Sequence, residues 1–498
     1  MNASLFDYLR HPRSSSDCAI ECGTTRLSVS DLQSRAESLA ENLRQIDAKR
    51  VAIYADNGVD FICADLACQS AGLVAIPLPL FFSAEQIRHA IKSSAADTVI
   101  ADRDIRGVID AAQKAPAVGP LPITVEHIYR LPAEPGVALP NNTQKITYTS
   151  GTTGTPKGVC LSAEQQLTLA EALAAAISLD KPRHLCVLPM STLLENLAGV
   201  YAPLISAGVV IAPPLEEVGL TGSSGLDVNQ WLSCIERYQP NSLILVPELL
   251  SLLTRAAEAG WPVPASLKYV AVGGGKVAAE LLRRAHAVDI PAYEGYGLSE
   301  CASVVALNVP GDVRVGSAGR PLPHVSVAID NKEIVVSGNS FLGYINEPDT
   351  WAVDAVRTGD LGRIDDAGFL HVEGRVKHQI ITSFGRNLSP EWVESELLSG
   401  PILQQAVVVG EGRPWCAALL FPMDPSFSHA DIDIWIDAVN ARLPDYARIG
   451  QWFLLPEALS VQDGLLTQNG RPKRARIEMT YQHEIDSLYD VQKEASAL

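Results

Sequence analysis

Between Thr147 and Gly158 the chain reads Thr147-Tyr-Thr-Ser-Gly-Thr-Thr-Gly-Thr-Pro-Lys-Gly158. Glycines at 151, 154 and 158 let backbone N–H groups approach an anion closely, and Thr149, Ser150, Thr152, Thr153 and Thr155 add short hydroxyl donors. Lys157 supplies a point positive charge, so the chemistry is the holding of a phosphate-like group. The spacing differs from the loop of kinases and GTPases, which places four residues between its glycine and a Gly-Lys-Ser/Thr end. Further polar segments follow: Tyr293-Glu-Gly-Tyr-Gly-Leu-Ser-Glu300, Arg357-Thr-Gly-Asp360, Gly374-Arg375-Val-Lys377 and the basic run Arg471, Lys473, Arg474 and Arg476. Each alone has an ordinary reading: Asp360 as a turn cap, Glu300 as a surface acid, Gly273 to Gly275 as a tight connection, the basic run as a solvated face. The histidines are too dispersed for a Ser-His-Asp triad, and Ser299 lacks the second glycine of a nucleophile elbow.

These segments must be carried by regular elements, and the pattern alternates helix and strand. Ser30 with Gln33 reads as a capped amphipathic helix with Leu32, Ala36, Leu39, Ala40 and Leu43 on one face. Val51 to Tyr54, Leu73 to Pro77 and Thr98 to Ala101 read as buried strands, separated by helices at Asp60 to Ala71 and after the Ser83/Gln86 cap. The alternation recurs in Ser242 to Val246 with a helix from Pro247, and in Tyr269 to Val272 before the helix Ala278 to His286. From Val325 short β pieces dominate. Beyond Gly374, Ser389 with Pro390 starts a helix, and Val407 to Val409 with Cys416 to Phe421 form a hairpin. The fold class is α/β: a large N-terminal domain of mixed α/β layers with a β-rich subdomain over residues 1–373, and a small α+β domain over 374–498.

Composition removes several functions. With 498 residues, 47% hydrophobic and 19% charged, more than one packed core is expected. A net charge of −18 disfavours nucleic-acid and anionic-membrane partners, so any anionic ligand must be held by local positive charge. No apolar run reaches the roughly 18 residues of a membrane span, and Met1 to Pro12 lacks a signal-peptide pattern, so a soluble cytoplasmic protein is expected. Nine scattered cysteines read as reduced fillers, without the spacing of a structural zinc site.

Taken together and in this order, the polar segments resemble those of the adenylate-forming (AMP-binding) superfamily, in particular acyl-CoA synthetases, over roughly Leu27 to Arg476. Gly316-Ser-Ala-Gly-Arg-Pro321 and Gly343-Tyr344 fill the expected places between them. The resemblance implies a mobile C-terminal domain that rotates about Lys377. It implies ATP and Mg2+ as cofactors, with Thr149, Ser150, Gly151, Thr152, Thr153 and Gly154 holding phosphates. Gly273, Gly274, Tyr296 and Gly297 would lie at the adenine, Ser299 at the α-phosphate, Asp360 on both ribose hydroxyls, Arg375 near ribose or phosphate, and Glu300 on the metal. Lys157, Glu300, Arg471 and Lys473 would be catalytic. Arg471 stands where the family has a lysine, and Lys473, two residues on, points to the same face if the segment is extended.

The resemblance further implies that a carboxylic acid is activated as acyl-AMP, with pyrophosphate released, and passed to a thiol. Leu188-Pro-Met-Ser-Thr-Leu-Leu-Glu-Asn196 leans toward bacterial and long-chain fatty acyl-CoA synthetases, although Thr192 replaces a common histidine. Thr192, Asn196, Val246 and Gly275 are the expected acyl pocket. The acceptor is CoA, with a carrier-protein phosphopantetheine and a catalytically degenerate binding homologue as alternatives, and the acid is fatty or aryl.

Overall fold

In the computed structural model, residues 5–9, 14–109, 112–114, 127–132, 137–149, 156–221, 225–467 and 470–495 are described. Sequence-level signals translate into elements with small shifts. The first long helix runs Val29–Gln45 and is capped by Ser28 rather than Ser30, because Ser28 ends the strand Thr25–Ser28 and exchanges both capping-box bonds with Asp31. The Ser83/Gln86 box caps Ala84–Ser94 as expected. In the helix Val59–Ala71, Phe61 through Cys68 are all buried, so it is covered on every side.

Two large sheets carry the N-terminal part. One has the order Gly343–Tyr344, Lys157–Leu161, Lys145–Thr149, Val74–Pro77, Arg50–Tyr54, Thr98–Ala101, His127–Arg130, Gln113–Lys114. Lys145–Thr149 and Lys157–Leu161 pair antiparallel with Thr149 opposite Lys157, which brings both ends of the hydroxyl-rich segment together. The other sheet contains the parallel strands Ser242–Leu245, Tyr269–Val272 and Ala292–Leu298. Leu245, Val272 and Glu294 stand in register there, so Gly273–Gly275 and Gly295–Leu298 emerge at the same carboxyl edge, where open α/β sheets bind ligands. Helices Val29–Gln45, Val59–Ala71 and Ala163–Ile177 bury their apolar residues in one cluster with both sheets.

The β-rich part is a four-stranded antiparallel sheet of Val325–Asp330, Glu333–Gly338, Ala355–Ile364 and Leu370–Arg375. Its register sets Asp360 beside Arg375 and Leu361 beside Gly374. Strand pairing therefore continues through Arg375, one residue past Gly374, so Gly374 and Arg375 still complete the ladder of the β-rich sheet.

The C-terminal part is built on Leu403–Val409, Cys416–Pro422 and Ile449–Leu454. Alternation is strict: Ala406, Val408, Ala418 and Leu420 enter one core with helices Pro390–Leu397 and His429–Asn440, while Val407, Val409, Ala417 and Leu419 enter a second with Ile477, Ile485 and Leu488. None of the nine cysteines forms a disulfide, and seven of them are buried. Among the described residues no helix is long and apolar enough to cross a membrane.

Candidate active site

A cleft of about 1800 Å³ runs from the carboxyl edge of the parallel strands to the C-terminal domain. Thr149, Lys157, Thr192, Gly273, Gly274, Tyr296, Gly297, Ser299, Glu300, Arg375, Lys377, Arg471 and Lys473 all line it. Ser150, Gly151, Thr152, Thr153 and Gly154 lie outside the described residues.

The best-formed cluster centres on Asp360, only 5% exposed. Tyr296 donates its hydroxyl to Oδ2 at 2.6 Å, and Arg375 Nε lies 2.8 Å from Oδ1. Arg375 also donates to the Thr358 carbonyl at 3.3 Å. Burial pushes the Asp360 carboxyl above its usual range, and Arg375 opposes the shift. Burial and Asp360 push the Tyr296 phenol upward, so it remains a donor. A carboxylate has about four acceptor positions, so two protein donors leave room for two ligand hydroxyls. Gly297 is required on steric grounds: a Cβ there would stand 1.6 Å from the Ser303 carbonyl oxygen, because the neighbouring strand crosses tightly.

A second cluster joins Glu300 and Lys157 through Tyr344, whose hydroxyl donates to Glu300 Oε1 at 2.6 Å. Lys157 Nζ sits 4.8 Å from the centre of the Tyr344 ring and 2.9 Å from Glu347 Oε1. Glu300 is the middle residue of a one-turn 3-10 segment, Ser299–Cys301, and lines the cleft. An ionised carboxylate at a phosphate site is a ligand that Mg2+ accepts, since Mg2+ takes one or two carboxylates together with substrate phosphates and water. The residues present therefore fit the ion. Tyr344 and Glu347 had no assigned role from sequence; the only signal was the Gly343-Tyr344 pair.

From the far side, Arg471 leaves the bridge between Leu466 and Pro472 and donates to the Gly274 carbonyl of the large domain at 2.5 Å. Gly274 adopts φ +80°, which turns that carbonyl toward the cleft. Asp360, Glu248 and Glu391 draw on Arg471 electrostatically, and Arg375 repels it. Lys473 immediately precedes the helix Arg474–Thr480, without a side-chain capping bond, and lines the cleft. Arg474 and Arg476 differ in role: Arg474 is tied to Glu394 at 2.6 Å within the small domain's own core. Arg284 of the large domain donates to the Ser399 carbonyl, a further contact between the two parts.

The acyl-pocket assignments fare unevenly. Thr192 lines the cleft, but Asn196, Val246 and Gly275 do not. Asn196 is 2% exposed because it is consumed by a buried network in which Lys145 Nζ lies 2.9 Å from Asp65 Oδ1. Asn196 donates to Asp65 at 3.0 Å and accepts from Lys145, while Tyr201 donates to Asp65 at 2.9 Å. Val246 precedes the helix Pro247–Glu258 and packs into the apolar cluster behind the sheet, and Gly275 abuts Pro247. The apolar part of the cleft wall is formed by Leu173, Ile177, Ala198, Leu243, Ile244 and Ala271. Sequence could not find this wall, because its residues come from four separate elements.

Among the described residues one group of metal-ligating types occurs, the buried His184, Cys186 and Glu195. Metal ligation needs a thiolate, and burial followed by Glu195 pushes the Cys186 thiol well up. The trio is poorly suited to an ion.

The family model described as "AMP-binding enzyme" matches residues 11–345, and that described as "AMP-binding enzyme C-terminal domain" matches 377–493. The chain is 26% identical over 536 residues to the long-chain-fatty-acid–CoA ligase FadD15 of Mycobacterium bovis, covering 89% of this chain and 88% of that protein. It is 28% identical over 423 residues to a 2-succinylbenzoate–CoA ligase of Bacillus cereus, covering 79% and 82%. In fold it is similar to the anthranilate CoA ligase AuaEII in complex with anthranoyl-AMP, with a TM-score of 0.79, 17% identity and coverage of 96% and 97%. A second fold match is the O-succinylbenzoate coenzyme A synthetase of Bacillus subtilis in complex with AMP, with a TM-score of 0.74, 22% identity and coverage of 96% and 98%.

Proposed function

This chain belongs to the AMP-binding enzyme family, and on that premise we propose that it activates a carboxylic acid with ATP as an acyl-AMP and then transfers the acyl group to the thiol of CoA. The carrying observation is that Tyr296 and Arg375, which hold the buried Asp360 just behind the cleft wall, the Glu300–Tyr344–Lys157 cluster and the reach of Arg471 meet at one cleft. An acid carboxylate oxygen attacks the α-phosphorus; the new P–O bond forms as the α–β phosphoanhydride breaks, and pyrophosphate leaves with the electron pair. No protein nucleophile takes part, so the residues act by positioning and by neutralising charge. Asp360 accepts the ribose hydroxyls and Arg375 holds Asp360 in place. Lys157 and Arg471 face the phosphates from opposite sides. Glu300 would hold Mg2+, which supplies further neutralisation of the phosphates. Attack by the thiol on the acyl carbon then forms the thioester and releases AMP.

An aliphatic acid of the fatty type suits the apolar walls Leu173, Ile177, Ala198, Leu243, Ile244 and Ala271 better than a short polar acid. Acid-dependent ATP–pyrophosphate exchange, measured with a panel of aliphatic and aryl acids, tests the first half-reaction. Chromatographic detection of acyl-CoA tests the second. Absence of exchange with every acid would remove the assignment; exchange without CoA ester would move the acceptor to a carrier protein.

A further inference from the structure

The apolar wall of the pocket is broken by polar side chains, and two of them belong to one hydrogen-bonded chain. Where Leu173, Ile177, Leu243 and Ile244 would leave a uniformly greasy wall, His184 and Ser242 also reach the cavity surface. They are the visible end of a buried chain of groups. His184 Nδ1 lies 3.0 Å from Ser242 Oγ, and His184 Nε2 lies 3.1 Å from Glu195 Oε1. Glu195 is completely buried, and its Oε2 has no hydrogen-bond partner among the described residues. The fold makes room for this pair on purpose: Glu195 opens the π-helical segment Glu195–Tyr201, and a Cβ on Gly199 within it would stand 2.7 Å from Glu195 Oε1 and 2.8 Å from His184 Nε2.

A buried carboxylate is costly unless a positive neighbour compensates it, and a packed apolar wall would be the cheaper way to hold a plain hydrocarbon chain. His184 is the only ion-pair partner of Glu195 among the described residues. A proton on Nδ1 lets the ring donate to Ser242 Oγ, with Nε2 held against Glu195. The Ser242 hydroxyl hydrogen, which has no other acceptor among the described residues, is then directed into the pocket. Ser242 precedes Leu245 by three strand positions, so it lies roughly 10 Å below the glycine turn that faces the nucleotide cluster.

We propose that Ser242, oriented by the His184–Glu195 pair, is a specificity-determining donor for an aliphatic acid that carries a hydroxyl or carbonyl oxygen partway along its chain. Ser242 makes the contact, and His184 and Glu195 are positioning residues. The recognition rests on the acid-activation reading above and narrows its substrate class.

The experiment measures ATP–pyrophosphate exchange with dodecanoic acid and with the series of its monohydroxy derivatives, one hydroxyl position at a time. The wild-type protein is expected to favour one position over dodecanoic acid by about 10- to 100-fold in kcat/KM, the worth of one hydrogen bond to a polarised group. Ser242→Ala should bring that ratio toward one, chiefly through KM for the hydroxy acid, and Ser242→Thr should restore it because the hydroxyl returns. Glu195→Gln should lower the ratio with Ser242 still present, a result that a purely structural Glu195 would not give. Thermal melting verifies that each variant is folded, and the Ser242 pair serves if Glu195→Gln is not. Exchange with dodecanoic acid but no preference for any hydroxy acid, or a preference that Ser242→Ala leaves intact, overturns this inference alone. Exchange with no acid of the series overturns it together with the activation of such acids.

Discussion

Replacing Asp360 with asparagine keeps the side chain's shape and removes its charge. In the folded protein the carboxylate already receives the Tyr296 hydroxyl at 2.6 Å and Arg375 Nε at 2.8 Å, and it would receive two ribose hydroxyls in addition. Bonds to a charged acceptor contribute about 1.5 to 3 kcal/mol each, against about 0.5 to 1.5 for neutral ones, so two ribose bonds lose about 2 to 3 kcal/mol together. The amide also has one acceptor oxygen where the carboxylate had two, so if that oxygen keeps Arg375, the Tyr296 hydroxyl must turn from donating to accepting. KM for ATP is therefore expected to rise by about 30- to 150-fold in pyrophosphate exchange. Stability should change little, because burial already disfavours the Asp360 charge and the asparagine relieves that cost. Its raised pKa carries a sign: protonation sets in at higher pH than for an ordinary aspartate, so wild-type ATP affinity falls early on the acid side. The asparagine variant lacks that limb. The assay is exchange at varied ATP from pH 5 to 8, with melting curves as control. An unchanged KM in a folded variant refutes the ribose role, and a collapsed melting temperature would make Asp360 structural first.

Arg471→Ala is expected to lose about a hundred- to a thousandfold in adenylation, as for a lost preorganised donor, with Lys473→Ala losing less. Thioester formation from supplied acyl-AMP should survive both, and a parental adenylation rate in Arg471→Ala alongside failure of Lys473→Ala would transfer the role to the lysine. Lys377→Pro should impair thioester formation more than adenylation, measured as separate half-reactions, since a hinge must absorb backbone change; equal loss of both would count against rotation there. Lys145→Met leaves Asp65 charged and uncompensated in the core and should cost about 3 to 5 kcal/mol in urea unfolding, an effect absent if the pair is dispensable. Burial pushes the Glu294 carboxyl up to about 7, so the native state binds the extra proton and its stability falls as pH rises from the unfolded value toward 7. Glu294→Gln should flatten that slope in melting curves taken between pH 4.5 and 8, and gain about 3 kcal/mol at the upper end; an unaltered slope would show that Glu294 is not the group responsible.

What the sequence determined by itself is local in origin. Capping boxes, strand runs of buried residues and the turn at Pro390 depend on neighbours within a few positions, so elements such as Ala84–Ser94 and Tyr269–Val272 were legible. The polar segments were legible as well, since each packs its glycines, hydroxyls and charges into a dozen residues or fewer. The tertiary structure decided how they meet. Antiparallel register, not proximity in sequence, sets Asp360 against Arg375. Tyr344 joins Glu300 to Lys157 from 44 residues beyond Glu300. Asn196 looked like a pocket residue because it shares a segment with Thr192, but the π-helical turn carries it away into the Lys145–Asp65 pair. The acyl wall was invisible for the same reason. His184, Glu195 and Ser242 sit on a strand, a helix and another strand, and only the packing of those elements joins three side chains far apart in sequence into one polar site, because burial and mutual contact are properties of the fold rather than of the residues.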